Sequence, residues 1–201
     1  MKANPKVKFM LALATLIALA ATVSFTVRAD SDDVVKLKAR LTGSQEVPFK
    51  YTTGTGTFTA TISADGRSMN YTETWTNLSG IITSTAPLFS HIHIGQPGVA
   101  GGITVWLCGV ITPVTHANDP DNDLLPCPPG VSNSISGTVE AADVITTGTG
   151  TSDQGINAGD FMGLLKIIRS GNAYVNVHTD RFQAGEIRGQ ISVVREDDDD
   201  R

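Results

Sequence analysis

The chain has 201 residues, with 20 Asp and Glu against 15 Lys and Arg, for a formal net charge of −5. That length suits one domain with a sizeable core and leaves no comfortable room for a second. The acidic balance argues against nucleic acid and anionic membranes as partners, since each is held by a basic patch.

At the N-terminus Lys2, Lys6 and Lys8 precede an uncharged apolar run from Phe9 to Phe25, and then Val27-Arg28-Ala29. The order predicts a secretory signal peptide over residues 1–29. As a membrane span the apolar core is short, and it ends at small residues that suit a peptidase cut after Ala29. Cleavage removes Lys2, Lys6, Lys8 and Arg28 and no acid, so the mature chain is more acidic still. No Cys lies near the cut to accept a lipid, and the mature protein is expected to be secreted, extracellular or periplasmic, without membrane insertion. The domain then runs over residues 30–195, and the tail 196–201, with Glu196 and the run Asp197–Asp200, is expected to be disordered and solvated.

Within the domain, Val35, Leu37, Ala39 and Leu41 alternate with basic residues, the period of a half-exposed strand. Thr57–Ile62 repeats the pattern, Asp65-Gly66 supplies a tight turn, and Met69–Thr76 follows as a hairpin partner. Further strands are expected over Phe89–Ile94, Ile103–Val110, Ser134–Val139, Ala173–His178 and Glu186–Val193, each bounded by turn residues. One short helix is expected where Phe161, Leu164, Leu165 and Ile168 form an apolar stripe, with Asn157 as its cap and Gly171 as its stop. The fold class is therefore all-β: an antiparallel Greek-key β-sandwich of about eight strands with one helix.

Two cysteines, Cys108 and Cys127, flank a Pro-rich segment. In an oxidising compartment they predict a disulfide, and the paired CxxC spacing of a thiolate metal site is missing.

His91 and His93 stand two apart in one strand, so both imidazoles project to one face. In Ala173–His178 the apolar residues take one face and leave Tyr174, Asn176 and His178 on the other. If the two strands are neighbours, the three imidazoles can share an ion. A set of neutral nitrogens without thiolate or carboxylate suits copper, or zinc. The bland reading stands beside it: strand histidines often just bond to a carbonyl. His116 reads as a solvated loop residue. Asp119, Asp121 and Asp123 fail as a calcium loop because Leu124 replaces the required glycine. No nucleophile elbow, P-loop, dinucleotide fingerprint or carboxylate pair nominates an enzyme.

Three segments carry a family likeness: Leu41-Thr-Gly-Ser-Gln-Glu-Val-Pro48, His91-Ile-His-Ile-Gly95, and Ala173-Tyr-Val-Asn-Val-His-Thr179 followed by Gly185-Glu-Ile-Arg-Gly-Gln-Ile191. Together they resemble the CHRD (chordin-type) domain, over about residues 36–193. The resemblance implies a secreted, non-enzymatic β-rich binding module, with an extracellular protein or matrix partner that stays unassigned. The segment from Cys108 to Pro129 looks like an insertion in that pattern. A fainter, fold-level similarity to copper-zinc superoxide dismutase lies in the order of HxH strand, later strand histidine and Gly-rich last strand, and it implies copper redox chemistry at His91, His93 and His178 as the alternative. The dismutase's bridging histidine and zinc loop have no counterpart.

Overall fold

The computed structural model describes residues 35–82, 90–109, 119 and 123–194; the predicted signal peptide, the acidic tail and His116 lie outside the described residues. Among the described residues, alternating sequence becomes nine strands: β1 (Lys36–Thr42), β2 (Thr55–Ile62), β3 (Met69–Thr76), β4 (Ser90–Ile94), β5 (Ile103–Cys108), β6 (Asn133–Val139), β7 (Ala173–Val177), β8 (Ile187–Gln190) and β9 (Ser192–Val193). They form one sheet in the order β5-β4-β7-β8-β1-β2-β3-β6, with β9 paired to β1. Every pairing is antiparallel. The two layers expected of a sandwich are the halves of this continuous sheet, which coils until it is nearly a closed barrel. The Tyr71 hydroxyl on β3, next to the last strand of that order, donates to the Leu107 carbonyl on β5, its first strand.

The inward side of each strand is what the period-two pattern assigns. Leu37, Ala39 and Leu41 on β1, Phe58, Ala60 and Ile62 on β2, and Met69, Tyr71 and Trp75 on β3 are buried together in one core. The hairpin turn after β2 is made by Gly66 at φ 69, with Ser63 and Asp65 capping backbone N–H groups around it. The strand expected over residues 186–193 is split, because Ile191 leaves β8 and the chain re-pairs as β9.

The helix α1 spans Phe161–Arg169 and buries Phe161, Leu164, Leu165 and Ile168 in the same core. Asn157 is not its cap. Gly159, at φ 81, turns the chain first, and the cap is Asp160, whose carboxyl accepts from Gly163 N at 2.8 Å. Gly171, at φ 74, ends the helix as expected. Cys108 and Cys127 are joined in a disulfide with Cα atoms 4.9 Å apart, closing a loop of sequence separation 19 onto the end of β5. By chain entropy such a loop contributes about 3 kcal/mol.

Two strands depart from the alternating burial. All five residues of β4 and all five of β7 are buried. Their inward sides face the core, so something must cover their outward sides. What lies there is polar.

Candidate metal centre

β4 and β7 are neighbours, with His91 opposite Asn176 and His93 opposite Tyr174. β5 pairs on the other side of β4 and sets Trp106 opposite His91. Because Val105 and Leu107 point into the core, Trp106 points outward with the histidines. The outward side of β5, β4, β7 and β8 therefore carries Trp106, His91, His93, Tyr174, Asn176 and Arg188, with His178 just past the end of β7.

The three sequence-predicted histidines do come together. Each offers one ring nitrogen, and these atoms lie within 4.8 Å of one another. Ring centroids are 5.4 Å apart for His91 and His93, 5.0 Å for His91 and His178, and 6.5 Å for His93 and His178. Three nitrogens at about 2.0–2.1 Å from one ion stand roughly 3–4 Å apart. The spacing of up to 4.8 Å observed here is wider than that, so binding an ion would draw the rings together.

Hydrogen bonds fix which nitrogens are available. His93 Nδ1 lies 3.0 Å from the Gly101 carbonyl, and His178 Nδ1 lies 2.8 Å from the Gln183 carbonyl. A carbonyl can only accept, so both rings carry their proton on Nδ1 and keep a lone pair on Nε2. His93 Nε2 has no partner among the described residues. His178 Nε2 is 3.1 Å from Asn176 Oδ1. A neutral ring that already donates from Nδ1 cannot donate there as well, so that contact is satisfied only when the amide presents its NH2 group. His91 is fully buried, and neither of its nitrogens has a partner among the described residues.

Burial disfavours the charged form of all three rings. Burial pushes His91 well below its ordinary value, with His178 and His93 adding to the shift. Burial likewise takes His93 down to about 4, and it lowers His178. Neutral imidazole is the ligand form, so protons compete weakly for these nitrogens.

The loop from Gly95 to Gly102 lies across this face. Gly101 N–H donates to the Tyr174 hydroxyl at 3.1 Å, Arg188 donates to the Gln96 carbonyl at 3.0 Å, and Gln190 donates to the Gly95 carbonyl at 2.8 Å. A Cβ on Gly101 would meet the Ile94 carbonyl oxygen at 1.6 Å, so only glycine brings this backbone close enough to hold His93. The Tyr174 ring stacks on His93 with centroids 4.8 Å apart, and Arg188 Cζ sits 3.4 Å from the Tyr174 centroid. Trp106 meets His91 edge-on at 4.3 Å. Glu46 closes the cluster behind Arg188 and Asn176, and burial raises its carboxyl to about 7.

Of these, Trp106, Glu46 and the two carbonyl anchors were not assigned from sequence. Trp106 had a signal, since a tryptophan on the outward side of a strand needs a cover. The carbonyls of Gly101 and Gln183 have none, because a backbone acceptor carries no residue-type mark.

The model of the CHRD domain matches residues 37–191, most of the chain. No curated protein and no solved structure gives a match. The match begins in β1 and ends between β8 and β9, so it takes in every strand that carries the histidine cluster, and the chain belongs to the CHRD domain family.

Proposed function

We propose that this domain is an exported, non-enzymatic binding module, and that its particular chemistry is a copper or zinc centre held by His91, His93 and His178. His91 carries the reading. A buried polar group without a partner costs about 1–3 kcal/mol, and an imidazole has two such nitrogens. A metal ion removes part of that cost at once by taking a lone pair. The Nδ1 anchors of His93 and His178 support it further, because a metal-binding histidine usually donates its other N–H to a carbonyl or carboxylate, which fixes the ring. Three neutral nitrogens without thiolate favour copper over zinc by intrinsic affinity.

Export rests on the predicted signal peptide and agrees with the disulfide, which belongs to oxidising compartments. No helix among the described residues is long and apolar enough to cross a membrane. The partner is read as an extracellular protein or matrix component, and the centre as storage, sensing or structural support.

The test is titration of chelator-treated protein with Cu(II) and then Zn(II), read by visible absorption and thermal melting. One tightly held ion per chain is expected, lost in His91→Ala and in His178→Ala. Binding no tighter than that of an arbitrary surface, or binding unchanged in both variants, removes the metal centre. A superoxide assay on the copper-loaded protein then separates a carrier from a dismutase-like catalyst.

A further inference from the structure

The other outward face of the sheet is open and has a composition of its own. Register sets three rows of side chains across β1, β2, β3 and β6. Arg40 faces Thr57, Thr57 faces Thr74, and Thr74 faces Ser134. Lys38, Thr59, Thr72 and Ser136 form the second row, and Lys36, Thr61, Asn70 and Thr138 the third. Neighbours are about 4.8 Å apart across strands and roughly 7 Å apart along them. The hydroxyls already bond to each other, Thr57 to Thr74 at 2.7 Å and Thr72 to Ser136 at 2.8 Å, while Thr138 donates to Asn70 at 2.9 Å.

Three features make this face unlike an ordinary solvated sheet. No strand position in the grid carries a carboxylate, in a chain where acids outnumber bases by 20 to 15. Asp65 and Glu140 stand in the turns beyond its Lys36 end. Three cations follow one another at alternate positions along β1, all exposed. Beside them Lys38, Arg40, Thr57, Thr59, Thr74 and Gln190 line a groove of about 550 Å³, a volume in the range of small-molecule sites.

We propose that this face binds a linear acidic polysaccharide, one carrying carboxylate or sulfate groups on a chain of hydroxyl-rich sugars. The cationic row along β1 meets the acidic groups, and the hydroxyl rows of β2, β3 and β6 exchange hydrogen bonds with the sugar hydroxyls. Each hydroxyl both donates and accepts, as does each hydroxyl of a sugar. The chemistry of the face disfavours other occupants. It exposes no aromatic or aliphatic anchor of the kind that dominates protein interfaces. It offers no aromatic ring on which a nucleic-acid base would stack, and the net negative charge of the chain opposes a polyanion of that density. The proposal is independent of the histidine centre, which occupies the other half of the sheet.

The experiment is calorimetric titration of the purified protein with polygalacturonate oligomers, with neutral dextran and with a single-stranded DNA oligonucleotide as comparisons, at low and at high salt. Polygalacturonate is expected to bind at low salt and to weaken as the charges are screened. Lys36→Ser/Lys38→Ser/Arg40→Ser should lose about tenfold or more in affinity. Thr59→Val/Thr74→Val should weaken binding while leaving the salt dependence as it is. All these positions are on the outer surface, and unchanged melting confirms that the variants fold. No binding of polygalacturonate at low salt, a triple variant that binds like wild type, or DNA binding as tightly as the uronate chain each overturns the proposal.

Discussion

Two outward faces of one sheet, built by the same alternation of side chains, have opposite fates here. Over β4, β7 and β8 the outward side is roofed by the loop from Gly95 to Gly102 and holds buried imidazoles, an arginine and a phenol. Over β1, β2, β3 and β6 it is open and holds hydroxyls edged by lysine and arginine. Polar residues in the covered half lose water and must be satisfied by one another or by a ligand, and His91 finds no partner among the described residues. Those in the open half keep water whatever they touch. A histidine and a threonine at equivalent strand positions therefore mean different things, and what separates them is the cover.

The strongest way to break the comparison is to loosen the covered half at its base. Glu186 is fully buried and gathers three loops: its carboxyl accepts from the Thr52 hydroxyl, Ser79 N–H, Gly80 N–H at 3.1 Å and the Thr179 hydroxyl at 2.8 Å. Glu186→Ala strands two backbone donors and is expected to cost about 3–5 kcal/mol in urea unfolding. A cost under about 1 kcal/mol would show that water reaches this end and that the cover is not tight. The next largest effect has the opposite sign. In chelator, His91→Leu exchanges two unpartnered nitrogens for an apolar group of similar size and should stabilise the protein by about 1–2 kcal/mol, while abolishing any metal-induced rise in melting temperature. If the variant melts lower than wild type in chelator, the ring has partners after all.

Strand faces were legible in the sequence because alternation is a local property, and they were correct even where burial was not. Alternation put Tyr174, Asn176 and His178 together on the face opposite the apolar residues, and it could not tell that this face is buried too. The roof comes from a distant loop, and periodicity cannot register a contact made across the fold. Adjacency of β4 and β7 was equally out of reach, since it is the inserted position of β7 between β4 and β8 that gathers the histidines. The helix stripe was right and its cap was not, because Asn157 and Asp160 are both good caps and the choice was made by the turn at Gly159.

β3 sharpens the contrast within a single strand. Thr72 and Thr74 belong to the open grid, and Glu73 between them points inward, fully buried, bonded by the Ser90 hydroxyl at 2.6 Å. Burial raises its carboxyl from 4.5 to about 8, with the Ser90 bond opposing the shift. The folded state thus holds a proton that the unfolded state has released between those two values. Its stabilising effect is fully present below about 4.5 and is lost as pH rises through 8. Glu73→Gln keeps the shape and cannot ionise, so its stability should fall less than that of wild type between pH 6 and 9 in matched denaturant titrations. Parallel curves would mean that Glu73 is ionised and solvated, and the grid would then have a carboxylate close behind it.

The smallest expected effect tests whether the open face is structural at all. Thr72 is exposed, and its hydroxyl meets Ser136 at 2.8 Å across the β3–β6 pair. Such cross-strand pairs contribute roughly 0.2–1 kcal/mol, because water replaces the bond when it is lost. Thr72→Ala should therefore cost under about 1 kcal/mol, most of it from lost β-branching, and Thr72→Ser should recover only the hydrogen-bonding share. If Thr72→Ala instead costs as much as Glu186→Ala, the hydroxyl rows are holding the barrel together and their regularity has a structural cause. If the cost is as small as expected, stability does not explain why this face carries hydroxyls in register and no acid, and a ligand that reads them becomes the better account.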